Sequence, residues 1–536
     1  MGIYLNPGND NFKRALRSQI YVDKTGLLSY TNSVLDTDEG YICFSRPRRF
    51  GKSMTADMLS AYYGKNCDSR EIFQKFRISE SPDFEEHLNQ YEVIQIDVNT
   101  FCHRRDRETG TVVSAEKAVE LFHVEVIREL KRTFPDSVSE RDVDLPAVLA
   151  HIYEDTGEKF VIIIDEWDTI FREYKEDIKA QEAYISLLRG LFKDATSKRF
   201  LKLAYLTGIL PIKKYGTQSA LNNFDEFTMV NPSVLSEYVG FTKEEVYELY
   251  ESYGMDFEEA KQWYDGYVFE NGLHIYNPKS VVDSIRKKRI TNYWTRTETY
   301  ESLRNYISMN FDGLKDEIIR MLTGGRCKVN PNKFQNDMVS FQSKDDILTL
   351  LIHLGYLAYD MNQAEAYIPN EEIRSEFKNA VEDTGWDSVM KAIQKSDELL
   401  CATWNQNEEA VAERLNQVQM ENTSVFSYND ENSLSCVITL AYFNAMNEYT
   451  LVREMPTGKG YADIVFLPKK HSDKPAMVVE LKYNQSAEGA IAQIHEKQYM
   501  NALEEYKGKV ILVGINYDKK RKTHQCRIVS VNKDTQ

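Results

Sequence analysis

Long apolar runs, closely spaced cysteines, abundant proline and an excess of positive charge are all missing from this sequence, and each absence removes a class of function. No stretch of about 18 or more uncharged apolar residues occurs, so no membrane span is expected. The first residues, MGIYLNPGND, lack the basic region and apolar core of a signal peptide, so the expected location is cytoplasmic with no membrane partner. The 7 cysteines, at positions 43, 67, 102, 327, 401, 436 and 526, are odd in number and never spaced C-x-x-C. That pattern argues against a disulfide framework and against a zinc ribbon. Basic residues number 66 against 83 acidic ones, a net charge of −17, which weighs against a surface coated by nucleic acid. A local basic groove remains open at Arg46–Arg49, Arg286–Arg289 or Lys519–Lys522.

What is present is chain length and ordered motifs. At 536 residues with 42% hydrophobic content, the chain exceeds what one core serves, and several domains of roughly 150 residues follow. The stretch Tyr41 to Ala56, YICFSRPRRFGKSMTA, reads as a β-prone strand, a basic loop and a helix start. That is the context of a phosphate-binding loop, in which backbone amides at the helix N-terminus receive phosphate oxygens. Gly51 permits the turn, Lys52 supplies charge to the outer phosphates and Ser53 offers a hydroxyl to Mg²⁺. One position departs from the G-x-x-x-x-G-K-[ST] pattern: Arg46 stands where its first glycine belongs. Arg46, Arg48 and Arg49 are expected near the phosphates of ATP or near a partner.

Phe160 to Ile164 is a continuous apolar run of the kind buried on both faces of a parallel sheet, and it ends in Asp165-Glu166. This is a Walker B pattern: Asp165 is expected to hold Mg²⁺ through its water shell and Glu166 to polarise the attacking water. A further strand, Leu203 to Gly208, ends in Thr207, a candidate sensor of the γ-phosphate, with a turn-forming Thr-Gly as the structural alternative. Alternation of these strands with helical stretches predicts an α/β domain with a parallel sheet over residues 1–231. From 232 the texture becomes charged and helical, rich in tyrosine. Residues 232–370 are expected to form a helical lid and 371–425 a helical connector.

Alternation returns over residues 426–536. Tyr461 to Leu467 and Ala476 to Lys482 read as adjacent strands, and in the second of them Glu480 and Lys482 share a face. If Asp463 lies across the strand gap, two carboxylates and an ammonium converge. A divalent cation, Mg²⁺ or Mn²⁺, would relieve the repulsion of the acids, and Lys482 would align a water for in-line attack on a phosphodiester. By itself D-x(16)-E-x-K is a weak signal. It gains from the turn Gly458-Lys459-Gly460 before Asp463, and from a helix beginning near Ala490 on which Gln493 and Lys497 share a face with Tyr499 nearby. A closing strand at Val510 to Ile515 would complete an αβββαβ arrangement.

Taken in order, YVDKT (Tyr21 to Thr25), RPRRFGKS (Arg46 to Ser53), IIIDEWD (Ile162 to Asp168), LTGIL (Leu206 to Leu210), NNF (Asn222 to Phe224), WYDGY (Trp263 to Tyr267), YNP (Tyr276 to Pro278), ADIVF and VELKYN resemble the bacterial AAA-ATPase-like proteins with a C-terminal PD-(D/E)XK nuclease-superfamily domain. The resemblance implies that Arg46 is the family's own P-loop variant. It matches Asp463, Glu480 and Lys482 to the nuclease motif, with Gln493 as the polar residue of the following helix and Ala462 in place of the namesake proline. Glu448 and Glu454 are both candidates for the additional acid of such folds. The fold class expected is α/β: a P-loop NTPase parallel-sheet domain, a helical lid and connector, and a restriction-endonuclease-like domain. The leading expectation is an ATP-hydrolysing enzyme that regulates or drives a Mg²⁺-dependent nuclease acting on nucleic acid, DNA first, in a form compatible with a homo-oligomer. The competing reading is a nucleotide-gated switch or scaffold whose nuclease-like domain binds nucleic acid without cutting it.

Overall fold

A computed structural model describes the chain outside residues 1, 107–108, 213, 216–217, 220, 270–271, 295–298, 310, 312, 335–340, 384–386, 422–430, 458–459, 470–471, 498, 500–502, 504–507 and 533–536. The turn at Gly458-Lys459 therefore lies outside the described residues. Two compact units result: residues 1–297 with 328–375, and residues 298–327 with 376–536.

Five strands organise the first unit: β1 (Tyr41–Ser45), β2 (Glu92–Asp97), β3 (Phe160–Asp165), β4 (Leu201–Gly208) and β5 (Asp225–Phe227). They pair in parallel in the order β2-β3-β4-β1-β5. Every residue of β1 and β3 is buried, which is why both read as unbroken apolar runs rather than alternating ones. Helix α1 (Lys52–Tyr63) follows β1, and α2 (Ala115–Thr133) and α3 (Leu145–Thr156) lead into β3. The short α4 (Thr169–Glu173) and the longer α5 (Ile178–Phe192) follow it. Phe122, Val126, Leu149, Ile152 and Leu188 from these helices pack with Ile162 and Ile164 in one core. The helix starts follow local chemistry: the Ser114 side chain accepts from the Lys117 amide and that of Asp144 from the Ala147 amide, each satisfying an orphan N–H.

Because β4 is inserted between β1 and β3, three carboxyl-terminal strand ends lie side by side. Thr207 is registered with Phe44 on one flank and Asp165 on the other, and Asp165 with Asp97 beyond it. The rest of this unit holds the helices α6 (Phe257–Tyr264), α7 (Pro278–Lys287) and α8 (Lys344–His353). It also holds a small sheet of β6 (Phe241–Thr242), β7 (Tyr267–Val268) and β8 (His274–Tyr276), ordered β6-β8-β7. Strands of two or three residues are too short to leave an alternating pattern, and these are not legible in the residue order.

The second unit carries helices α9 (Asp387–Trp404), α10 (Glu408–Glu421) and α11 (Glu431–Ala441) beside a five-stranded sheet. Its strands β9 (Tyr449–Thr457), β10 (Gly460–Pro468), β11 (Ala476–Tyr483), β12 (Lys509–Asp518) and β13 (Thr523–Asn532) are neighbours in sequence order. All pairings are antiparallel except β11 with β12, whose parallel crossover is made by α12 (Ala487–Glu496). The expected succession of helix, three strands, helix and strand is present, with β13 added at the edge.

Candidate functional sites

The loop from Arg46 to Gly51 joins β1 to α1, and Gly51 turns it with φ of 98°, a conformation that glycine adopts without steric cost. Lys52 is buried at the start of α1 and its Nζ donates to the Pro47 carbonyl at 3.0 Å, so the ammonium is folded back on the loop. Burial lowers the Lys52 pKa, while Glu166, Asp165 and Asp168 oppose that shift. The Ser53 hydroxyl hydrogen-bonds Asp165, whose carboxyl is pushed up to about 7, chiefly by burial. Thr207 is buried at the end of β4 beside Asp165 in register, and its Oγ1 has no hydrogen-bond partner. A buried ammonium, a hydroxyl–carboxylate pair and an orphaned hydroxyl at adjacent strand ends suit the phosphates and divalent cation of a nucleoside triphosphate. Lys52, Ser53 and Thr207 would meet the phosphates, and Ser53 and Asp165 the cation.

The basic loop behaves differently from its expectation. Arg46 is completely buried, its guanidinium between the rings of Phe44 and Phe269, whose centroids are 4.8 and 5.0 Å away. Its Nη1 donates to the carbonyls of Ser45 at 3.1 Å and Phe227 at 3.5 Å, while Nε and Nη2 have no partner. Burial lowers its pKa to about 9. Arg46 is therefore a core residue, packed against β1 and β5, and not an extension of the loop. Arg48 and Arg49 are half-buried; the acidic neighbours of Arg49 are Asp283 of α7 and Glu372. Pro47 packs against Gly355, where an added Cβ would fall 2.7 Å from the proline Cγ. Phe50 meets Tyr267 edge-on at 5.7 Å, and Tyr267 Oη donates to the Gly355 carbonyl at 2.5 Å. These contacts fix both arms of the loop to β7 and to the turn after α8, giving RPRRF and DGY a packing role.

Glu166 has left-handed backbone, φ 51°, and its Oε2 accepts from Nη2 of Arg172 at 2.6 Å. Sequence reasoning missed Arg172. The signal was there: Asp168 and Arg172 stand four apart where a helix begins, the spacing of an acid–base pair on one face.

In the second unit Ile464 pairs with Val479 across the antiparallel β10–β11 ladder, so one step further sets Asp463 opposite Glu480. Asp463 Oδ2 accepts from the Leu481 amide at 2.7 Å. Glu480 is almost wholly buried; its Oε1 is met by Lys482 Nζ at 3.2 Å and, closer still, by Gln493 Nε2 from α12. Tyr499 Oη receives Gln493 Nε2 at 3.3 Å and donates to the Tyr461 carbonyl at 2.6 Å, tying the helix end to β10. Burial, then the charge of Asp463, pushes Glu480 up to about 7. The structure thus gathers Asp463, Glu480, Lys482 and Gln493. Of the two candidate extra acids, Glu448 lies in the helical turn just before β9, where Ser472 donates to its Oε2 at 2.9 Å. Glu454 is exposed in β9, opposite Asp463 by register, with φ 47°. No group of three or more His, Cys, Asp and Glu side chains placed to hold a metal ion occurs among the described residues. Mg²⁺ needs fewer, since it keeps several waters and takes one or two carboxylates. The Glu480 Oε2 atom, buried without a hydrogen-bond partner, supplies the open lone pairs such an ion takes.

Comparison with known proteins matches residues 7–217 to the family described as "Predicted AAA-ATPase" and residues 429–526 to the "PD-(D/E)XK nuclease superfamily". The chain joins an AAA-ATPase-like region to a PD-(D/E)XK nuclease-superfamily region. The P-loop, β3 and Thr207 all fall within the ATPase-like region, and Asp463, Glu480, Lys482 and Gln493 within the nuclease-superfamily region. A curated relative, "Uncharacterized protein in vnfD 5'region" of Azotobacter chroococcum mcd 1, is 25% identical over 293 residues. That match takes in 52% of this chain and 51% of the relative, so the chain spans about half the length of the protein it matches. Among solved structures, the Aeropyrum pernix ORC2 protein in its ADPNP–ADP complexes is a weak likeness, at 12% identity and a TM-score of 0.28, covering 68% of this chain and 97% of that one. No described helix is long and apolar enough to cross a membrane.

Proposed function

We propose that the ATPase-like region binds and hydrolyses ATP with Mg²⁺, and that its nucleotide cycle regulates or drives a Mg²⁺-dependent cleavage of nucleic acid, DNA first, by the nuclease-superfamily region, in the cytoplasm. The observation that carries this reading is the convergence of Asp463, Glu480, Lys482 and Gln493 on one sheet face in a chain that also holds a P-loop facing Asp165 and Glu166.

At the nucleotide site the divalent cation supplies charge neutralisation of the phosphates. Lys52, released from the Pro47 carbonyl, binds the outer phosphates, Ser53 and Asp165 hold the cation, and Thr207 donates its unpartnered hydroxyl. Glu166 takes one proton from the water whose oxygen bonds to the γ-phosphorus. The bond from that phosphorus to its bridging oxygen breaks, and ADP leaves with the electron pair. Arg48 and Arg49 bind the nucleotide from the rim of the loop.

At the nuclease site the cation supplies a more acidic water and charge for the leaving oxygen. Asp463 and Glu480 hold it, Lys482 aligns the attacking water, and Gln493 fixes the Glu480 carboxylate, itself braced by Tyr499. Two measurements test the reading. Lys52→Ala and Glu166→Gln should each lower ATP turnover by about 10²-fold or more, leaving a small residual rate; hydrolysis unchanged in both sinks the first half. Wild type should cut DNA with Mg²⁺ or Mn²⁺ and Asp463→Ala should not. Equal cleavage by the two, or none by either with or without ATP across DNA and RNA substrates, removes the second half.

A further inference from the structure

Arg172 is 8% exposed and sits among three carboxylates. Its Nε donates to Asp168 Oδ2 at 3.0 Å, its Nη2 to Glu166 Oε2 at 2.6 Å and to Thr169 Oγ1 at 3.2 Å, and its Nη1 lies 3.6 Å from Glu173 Oε1. The Asp168 end of this chain of contacts is fixed. That residue has no exposed surface, and its Oδ2 also accepts from the amides of Ile209 at 3.2 Å and Leu210 at 2.9 Å, immediately beyond β4. Gly208 makes room for it: a Cβ there would meet Asp168 Oδ1 at 2.6 Å and the Trp167 ring at 2.8 Å. The guanidinium is thereby braced against the strand end that carries Thr207, and it reaches Glu166 from that side. Glu166 meanwhile holds a left-handed backbone that a non-glycine residue adopts at a cost, so its placement is imposed by its surroundings.

We propose that Arg172 is a positioning residue for ATP hydrolysis, holding one carboxylate oxygen of Glu166 so that the other meets the attacking water. The inference rests on the assignment of Glu166 as the proton acceptor. The planar guanidinium bridges two carboxylates, Nε on Asp168 and Nη2 on Glu166, so its rigid fork fixes the direction from which the Glu166 oxygen is held, which a rotatable ammonium does not. Removing one partner of a largely buried pair leaves the other charge without its counter-ion, which costs far more than at an exposed pair. The plain alternative is that Arg172 only secures the turn between β3 and α4, in which case its removal would lower stability whatever stands at 166.

The test is a double-mutant cycle on the full chain: Arg172→Gln and Glu166→Gln singly and together, with kcat and KM for ATP and the affinity for a fluorescent ATP analogue. Arg172→Gln should lower kcat by about 10²-fold with nucleotide affinity unchanged, the cost of losing a reacting group's orientation. In the Glu166→Gln background the same change should alter the residual rate by less than about twofold, because the group it orients is already gone. An equal loss in both backgrounds, a raised KM at unchanged kcat, or full turnover by Arg172→Gln overturns the inference while leaving the ATPase reading in place. Wild-type turnover by Glu166→Gln overturns the assignment of Glu166 and the inference with it. Should Arg172→Gln fail to fold, Arg172→Lys keeps the cation without the fork; a lowered kcat at unchanged affinity supports the inference, and wild-type kcat overturns it.

Discussion

Arg46 occupies the position where a phosphate-binding loop ordinarily has glycine, and its side chain leaves the loop for the interior. Two of its guanidinium nitrogens are buried without partners, and the packing of Phe44 and Phe269 only partly offsets that desolvation. Even a buried ion pair can often be replaced by apolar residues of similar volume at no loss or at a gain of about 1–4 kcal/mol, and among the described residues no carboxylate offsets the burial of the Arg46 charge. Arg46→Met should therefore leave the thermal midpoint unchanged or raised and leave ATP affinity untouched. A clear loss of either shows that the guanidinium is needed where it lies. The candidate site residues were more legible than this one. Gly51-Lys52-Ser53, Asp165-Glu166 and the Glu480–Lys482 pair announce themselves because chemistry fixes residue type and spacing together. Arg46 did not, because whether a loop side chain turns outward or inward depends on Phe269, far away in sequence.

Helix α12 reaches Glu480 because of a residue on the strand beneath it. Gly514 is registered beside Glu480, and a Cβ there would fall 2.4 Å from the Ala487 carbonyl oxygen and 3.1 Å from the Ala490 Cβ. Gly514→Ala should lift the helix, at a cost of about 1–3 kcal/mol for overpacking, and carry Gln493 away from Glu480. Thermal unfolding and a cleavage assay of the same variant measure both effects. Wild-type stability would show that α12 is not held by this close approach. Most elements were readable one by one from their periods: the apolar run of β3, the alternation of β10, the apolar spacing of α5. Their arrangement was not. That β4 lies between β1 and β3, setting Thr207 beside Asp165, is a pairing of segments distant in sequence, and local patterns do not encode it. The pairing of Asp463 with Glu480 could be posed as a condition, since both strands were visible, but only the register settles it.

At the scale of the whole molecule, a buried histidine stands in each unit among the described residues. His353 in the first unit stacks on Phe334 at 5.8 Å and has an unpartnered Nδ1; burial, then the charge of Arg46, lowers its pKa to about 3. His524 in the second unit shares a hydrogen bond of 2.9 Å between Nδ1 and Asn416 Oδ1, and burial alone lowers it to about 3. Both folded values lie below the ordinary 6.5. Between those limits the unfolded chain binds more protons than the folded one, so stability is full above about pH 6.5 and declines as pH falls toward about 3. Each unit should therefore unfold at lower denaturant concentration at about pH 5 than at about pH 8. His353→Phe, which preserves the ring stacking and removes the titrating group, should flatten that dependence in the first unit and leave the second unchanged. Denaturant titrations read by hydrogen exchange separate the two units. An unaltered slope in the His353→Phe protein would place the acid sensitivity of the first unit on its carboxylates instead, among which Asp165 acts in the opposite sense, its raised pKa favouring the folded state at low pH.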